Sequence, residues 1–187
     1  MNYSNLFDKL REFYTSLSYN DRYGRAKIPF RYFLELTYRC NLNCPYCYVG
    51  KERNKNELTT DEWKMVIDQL PFYSIATLVG GEPLTRKDFV EILAYTSKKI
   101  FNKVHVVSNG VLIDEEIIRA FIKYKLLLLS VSLDGYGRNH DLNRGKDGIF
   151  DKIVSNLEKL KSQKKNQMID IKTIVLKNNL DDLVELY

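Results

Sequence analysis

The chain has 187 residues, 44% of them apolar, which is enough to bury the core of one domain and excludes a disordered segment. Its formal charge of +5 comes from 29 basic residues spread among 24 acidic ones, without the continuous basic face that nucleic-acid binding requires. No stretch approaches the ~20 apolar residues that cross a bilayer, and residues 1–27 are polar and tyrosine-rich without the pattern of a secretory signal. The expected setting is the reducing cytoplasm, with neither membrane nor nucleic acid as partner.

A first amphipathic segment spans residues 4–17, with Leu6, Phe7, Leu10, Phe13, Tyr14 and Leu17 at helical spacing. It is read as part of an N-terminal helical extension, 1–27, ahead of a core over 28–187. From Phe30 onward, short apolar runs alternate with helical ones, the pattern of parallel strands joined by crossover helices. Strands are predicted near 31–37, 74–79, 103–107, 128–133 and 169–176. A helix is predicted from Thr59, where Thr59 and Glu62 have capping-box spacing and Trp63, Val66, Ile67 and Leu70 form the apolar stripe. Others are predicted over 87–100, from Asp114 with Ile117, Ile118, Phe121 and Ile122 inward, from Ile149 through Leu160, and over 181–187. The fold class is α/β. Five strand-helix units, the last incomplete, fit an open barrel better than a closed eightfold one, which takes about 200 residues or more. The apolar ending at Leu186-Tyr187 inside an apparent helix suggests truncation.

The three cysteines, Cys40, Cys44 and Cys47, all lie in one run after the first predicted strand. Three thiols so close together cannot all pair within one chain, and a reducing compartment disfavours pairing, so metal ligation is the leading explanation. Structural zinc would want a fourth ligand, and the two histidines, His105 and His140, lie far along the chain. A 4Fe-4S cube ordinarily takes four thiolates; three leave one iron open to a small molecule. Unligated thiols are the remaining alternative.

Cys-Asn-Leu-Asn-Cys-Pro-Tyr-Cys, with Tyr46 before the last cysteine, resembles the defining motif of the radical S-adenosylmethionine (radical SAM) superfamily. Further parts of that pattern follow in order at predicted strand ends. Gly80-Gly81-Glu82-Pro83 resembles the family's GGEP motif, whose backbone and glutamate receive the amino group of the cofactor's methionine. Ser108-Asn109-Gly110 is similar to a motif that helps seat the nucleoside, although Asn-Gly is also a common turn. Ser132 and Asp134 project to one side of the fourth strand, where relatives contact the cofactor's carboxylate or ribose; Asp134 could equally cap the following loop. His140, Arg144 and Gly145 resemble a segment in which the arginine pairs with the cofactor carboxylate, as its planar fork suits it to do. His140 is read as a loop histidine with a local hydrogen bond, outside the site. Asp170 and Lys172 are expected on a solvated edge face, with a lumen-facing pair as the alternative.

The resemblance implies a partial (β/α)6-type TIM barrel, cut after about five units. Cys40, Cys44 and Cys47 would hold a 4Fe-4S cluster. S-adenosylmethionine would be bound by Tyr46, Gly80, Gly81, Glu82, Pro83, Ser108, Asn109, Ser132, Asp134 and Arg144. The implied reaction is reductive cleavage of that cofactor to a 5'-deoxyadenosyl radical, which abstracts hydrogen from a substrate. Residues 40–48 and 80–84 resemble the SPASM-type peptide maturases, implying a peptide or protein substrate and a reductant such as flavodoxin or ferredoxin. The competing readings are an incomplete protein that binds cluster and cofactor without turnover, and an α/β domain with a structural metal.

Overall fold

The computed structural model describes residues 29–51 and 56–186, with positions 9, 12, 13 and 16 besides. The predicted segment 4–17 therefore lies mostly outside the described residues. Among the described residues, five parallel strands form one open sheet in sequential order: β1 (Arg31–Thr37), β2 (Ile75–Gly80), β3 (Val104–Ser108), β4 (Leu128–Ser132) and β5 (Ile169–Lys172). Between them run α1 (Thr60–Asp68), α2 (Phe89–Lys99), α3 (Glu115–Lys123), α4 (Arg138–Arg144) and α5 (Ile149–Gln163); α6 (Leu183–Leu186) follows β5. Each crossover advances the chain one strand in the same direction, so right-handed connections put the helices on one face of the sheet.

Strand alternation then sorts the side chains. Leu34, Leu36, Ala76, Leu78, Val104, Val106, Leu129 and Val131 point toward the helices and are buried with Ile67, Ile92, Ile118, Phe121, Ile153 and Leu160. Phe33, Thr77, His105, Ser130 and Asp170 lie on the opposite, concave face. Across its floor, His105 Nδ1 meets Arg31 and Thr77 Oγ1 (3.2 Å), and Nε2 meets Ser130 Oγ (2.6 Å). Arg31 can only donate, so Nδ1 accepts and Nε2–H donates.

Local signals place the helices. Thr59 caps α1 in a complete capping box, and Asp114 caps α3 by accepting from Ile117 N at 2.9 Å. The predicted apolar stripes are the buried ones: Trp63, Ile67 and Leu70 in and just after α1, and Ile149, Phe150, Ile153 and Leu160 in α5. Two elements depart from the sequence reading. β5 stops at Lys172 rather than near 176, because Asp134 Oδ1 takes the Ile174 N–H (2.8 Å) and Asn179 folds the chain over, accepting from Leu176 N (2.8 Å). α4 was read as loop: its sequence has no apolar stripe, and its buried residues are the polar His140 and Asn143.

Candidate functional site

The cysteine loop leaves the C-terminal end of β1 and is pinned by Leu42 and Val49, which are 4% and 1% exposed. Beneath it, the end of β2 runs so close to β1 that the two glycines are required. A Cβ on Gly80, whose φ is +144°, or on Gly81 would stand 2.3 Å from the carbonyl oxygen of Thr37 or Arg39 respectively. This approach lets Gly81 N donate to Thr37 O (2.7 Å) and Glu82 N to Arg39 O (2.8 Å), fixing the backbone that leads into Cys40. The glycines were expected to admit a ligand; the closest group they admit is the chain itself. Arg86, 7% exposed, supports the same corner by donating to Leu36 O (2.9 Å) and pairing with Asp88 (2.6 Å). No sequence pattern marked it.

At the strand ends lies a cavity of about 320 Å³, on whose walls stand Cys40, Cys44, Cys47, Tyr46, Gly80, Gly81, Ser108, Asn109, Ser132 and Arg144. Ten of the thirteen residues singled out from the sequence are thus brought together. Glu82, Pro83 and Asp134 stand behind the wall. Val79, Val107, Lys172, Thr173 and Ile174 complete the far side. Lys172 is exposed, as expected of the edge strand, and also borders the cavity, while Asp170 Oδ1 is buried without a partner.

Two buried carboxylates organise the wall from behind. Glu82 is fully buried and accepts from Ser108 Oγ (2.9 Å), Leu84 N (3.1 Å) and Asn109 N (2.7 Å). Burial pushes its carboxyl up to about 7 against the pull of those donors. Asp134, also fully buried, takes Tyr46 Oη (2.5 Å) and Arg144 Nη2 (2.6 Å) on Oδ2, while its backbone N donates to His140 Nδ1 (3.0 Å). The expected local hydrogen bond of His140 is present, but the histidine that accepts it stands in α4 rather than in a loop. Its ring is held neutral, at about 4, by burial and by Arg144. Tyr46, on the cysteine loop, is thus tied to β4, and burial with the Asp134 carboxylate raises its hydroxyl pKa.

The donors near sulfur are specific. Cys40 Sγ lies 3.4 Å from Leu42 N and 3.9 Å from Asn109 Nδ2; Cys44 Sγ lies 3.8 Å from Arg144 Nη1. Burial raises the Cys44 thiol and Arg144 opposes that rise. Among the described residues, no three His, Cys, Asp or Glu side chains are grouped for a single metal ion. The thiols are spread along the rim of one cavity, the arrangement that suits a multi-iron group taking one thiolate per iron. Arg144, on the cavity wall, has a buried Nε without a protein partner, and no Asp or Glu among the described residues lines the cavity. This set of residues fits an electron-rich group between the thiols.

Comparison with known proteins follows the same lines. Residues 34–187 match the family described as the Radical SAM superfamily. The AdoMet-dependent heme synthase of Methanosarcina barkeri is 37% identical over 158 residues, which cover 82% of this chain and 44% of that protein. The PqqA peptide cyclase of Bradyrhizobium diazoefficiens is 29% identical over 171 residues, 85% of this chain and 42% of that one. The crystal structure of Streptococcus suis SuiB bound to precursor peptide SuiA superposes with a TM-score of 0.74 at 16% identity, covering 86% of this chain and 36% of SuiB, a likeness of fold. The chain spans less than half the length of these relatives.

Proposed function

The chain belongs to the radical SAM superfamily, and we propose that it holds a 4Fe-4S cluster through Cys40, Cys44 and Cys47 and S-adenosylmethionine in the adjoining cavity, for hydrogen abstraction from a peptide or protein. The family uses both groups. The observation that carries the reading is the convergence of all three thiols on one cavity whose remaining wall comes from the ends of β2, β3, β4 and β5 and from Arg144 of α4. When bound, the cluster supplies an electron to the cofactor's sulfonium centre, and the cleaved cofactor supplies the hydrogen-abstracting radical.

The chain's own residues do the rest. Gly80 and Gly81 border the cavity, and the close β1–β2 approach they permit fixes the backbone that leads into Cys40. Ser108, Asn109 and Ser132 offer neutral hydrogen-bonding groups from β3 and β4. Arg144 is held by Asp134 beside Cys44, where it offers a fixed positive charge to a carboxylate. Glu82 acts one step removed, by holding Ser108 and Asn109 in place. Pro83 begins the short helical turn Pro83–Thr85, which keeps the Glu82 carboxylate under Leu84 N.

The peptide substrate is supported by the runs 40–48 and 80–84, by similarity to a peptide cyclase and by likeness of fold to SuiB, whose crystal structure holds a precursor peptide. A flavodoxin or ferredoxin fits as the reductant, and no helix among the described residues is long and apolar enough to cross a membrane.

The test is anaerobic reconstitution with iron and sulfide, reduction, and electron paramagnetic resonance with and without S-adenosylmethionine. A 4Fe-4S signal that changes on adding the cofactor is expected. Folded protein that takes up no iron would end the reading; a cluster indifferent to the cofactor would reduce it to cluster binding.

A further inference from the structure

The thiols of the cysteine loop do not share one kind of neighbour. Cys40 Sγ meets neutral N–H groups, Leu42 N at 3.4 Å and Asn109 Nδ2 at 3.9 Å. Cys44 Sγ meets a cation, the guanidinium of Arg144, whose Nη1 lies 3.8 Å away. Both Arg144 and Cys44 line the cavity. The sequence marked Arg144 for a cofactor carboxylate, and nothing in it pointed to a cysteine 100 positions away.

The aim of this donor is fixed by its neighbours. Arg144 Nη2 pairs with Asp134 Oδ2 (2.6 Å), a fully buried carboxylate that also accepts from Tyr46 Oη (2.5 Å). The guanidinium lies over the Tyr46 ring, its carbon 6.0 Å from the centroid. At the backbone, the end of α4 rests against the cysteine loop: a Cβ on Gly145 would stand 3.4 Å from Asn43 O. A guanidinium is planar and rigid, so committing Nη2 to Asp134 sets the direction of Nη1. As a thiol, Cys44 can donate to Arg144 O (3.8 Å). As a thiolate, the form that ligates iron, it can only accept, and Arg144 Nη1 is a donor placed to meet it.

We infer that Arg144, positioned by Asp134 and Tyr46, donates from Nη1 to the Cys44 thiolate of the iron–sulfur cluster and thereby raises the cluster's reduction potential. The inference rests on the cluster reading above and is separate from the pairing of Arg144 with a carboxylate. Reduction adds negative charge that spreads onto the thiolate ligands, and a cation in a buried wall stabilises that charge more than it would in water. Asp134 compensates the buried cation without cancelling it at the sulfur, because at Cys44 the attraction of Arg144 outweighs the repulsion of Asp134.

The experiment is a redox titration, followed by electron paramagnetic resonance, of the anaerobically reconstituted full chain without S-adenosylmethionine, so that the carboxylate role plays no part. The proteins are wild type, Arg144→Lys, and the double variant Arg144→Met with Asp134→Asn. The double variant removes both members of the buried pair, so neither charge is left alone and the net charge is unchanged. The expected result is equal iron per chain, a more negative midpoint potential in the double variant, and a smaller shift in the same direction in Arg144→Lys. A cluster kept only by Arg144→Lys, at a more negative potential than wild type, also supports the donor. Equal or higher potentials at equal iron content overturn it, as does loss of iron from both variants. Folded wild-type protein that binds no iron overturns the cluster reading, and this inference falls with it.

Discussion

Glu82 and Asp134 show what buried carboxylates do around this cavity. Neither faces the space itself; each collects donors from two or three segments and so fixes groups that do. For Glu82 the cost of this position is electrostatic. Burial lifts its carboxyl from the ordinary 4.5 to about 7, so the folded chain binds a proton there that the unfolded chain has already released. The stabilising contribution is complete below pH 4.5 and is lost as pH rises through about 7. In iron-free protein, the stability of wild type relative to Glu82→Gln should therefore fall by on the order of 3 kcal/mol from pH 4.5 to 7.5, at about 1.4 kcal/mol per pH unit. Urea unfolding of both proteins at the two pH values measures it. A pH-independent difference would mean that Glu82 titrates normally. His105 works in the opposite direction: burial and Arg31 depress it to about 4, so its contribution is present above pH 6.5 and lost as pH falls through 4. Comparing variant with wild type cancels this background.

At the scale of elements, the strand ends matter more than the strands. The β1–β2 pair carries the cysteine loop, and its close approach depends on the absence of side chains at Gly80 and Gly81. Gly81→Ala would press a methyl group onto the Arg39 carbonyl, where the ideal Cβ position is 2.3 Å away. The expected cost is about 2–4 kcal/mol, together with a large loss of iron uptake, because Arg39 leads directly into Cys40. Thr59→Ala is the control. It removes the capping box of α1, should cost about 1 kcal/mol, and should leave iron per chain unchanged. Thermal unfolding and iron analysis of both variants separate the effects; equal iron uptake in Gly81→Ala would show that the loop tolerates displacement of β2.

Over the whole molecule, stability should be graded across the sheet. β2, β3 and β4 each have a hydrogen-bonded neighbour on both sides, whereas β5 is four residues long, half-buried to exposed, and pairs only with β4 among the described residues. Amide hydrogen exchange should be slowest in β2 and β3, near the global unfolding rate, and fastest of the five strands in β5. Protection of β5 equal to that of β3 would show that a further element covers it. The concave floor built from Arg31, Thr77, His105 and Ser130 belongs to the protected region, since these residues bridge four strands.

Much of this organisation follows from the amino-acid sequence, because its signals are local. The capping box at Thr59, the apolar periodicity of α1, α3 and α5, and the alternation that makes parallel strands act over a few residues each. The cysteine, Gly-Gly-Glu-Pro and Ser-Asn-Gly runs are contiguous and sit at strand ends, and eight of the ten chosen residues that line the cavity lie in them. Other features depend on hydrogen bonds that no sequence periodicity marks, some between residues distant in sequence. α4 has no apolar stripe, and its His140 and Asn143 are buried through hydrogen bonds to the Asp134 backbone. Lys172 faces the cavity because β4 sets the register of β5. Arg144 is aimed at Cys44, 100 positions away, because Asp134 holds it. Sequence determines which groups are available and which local elements carry them; tertiary structure decides which buried polar group finds a partner and which is left without one, because hydrogen bonds and burial depend on distance in space.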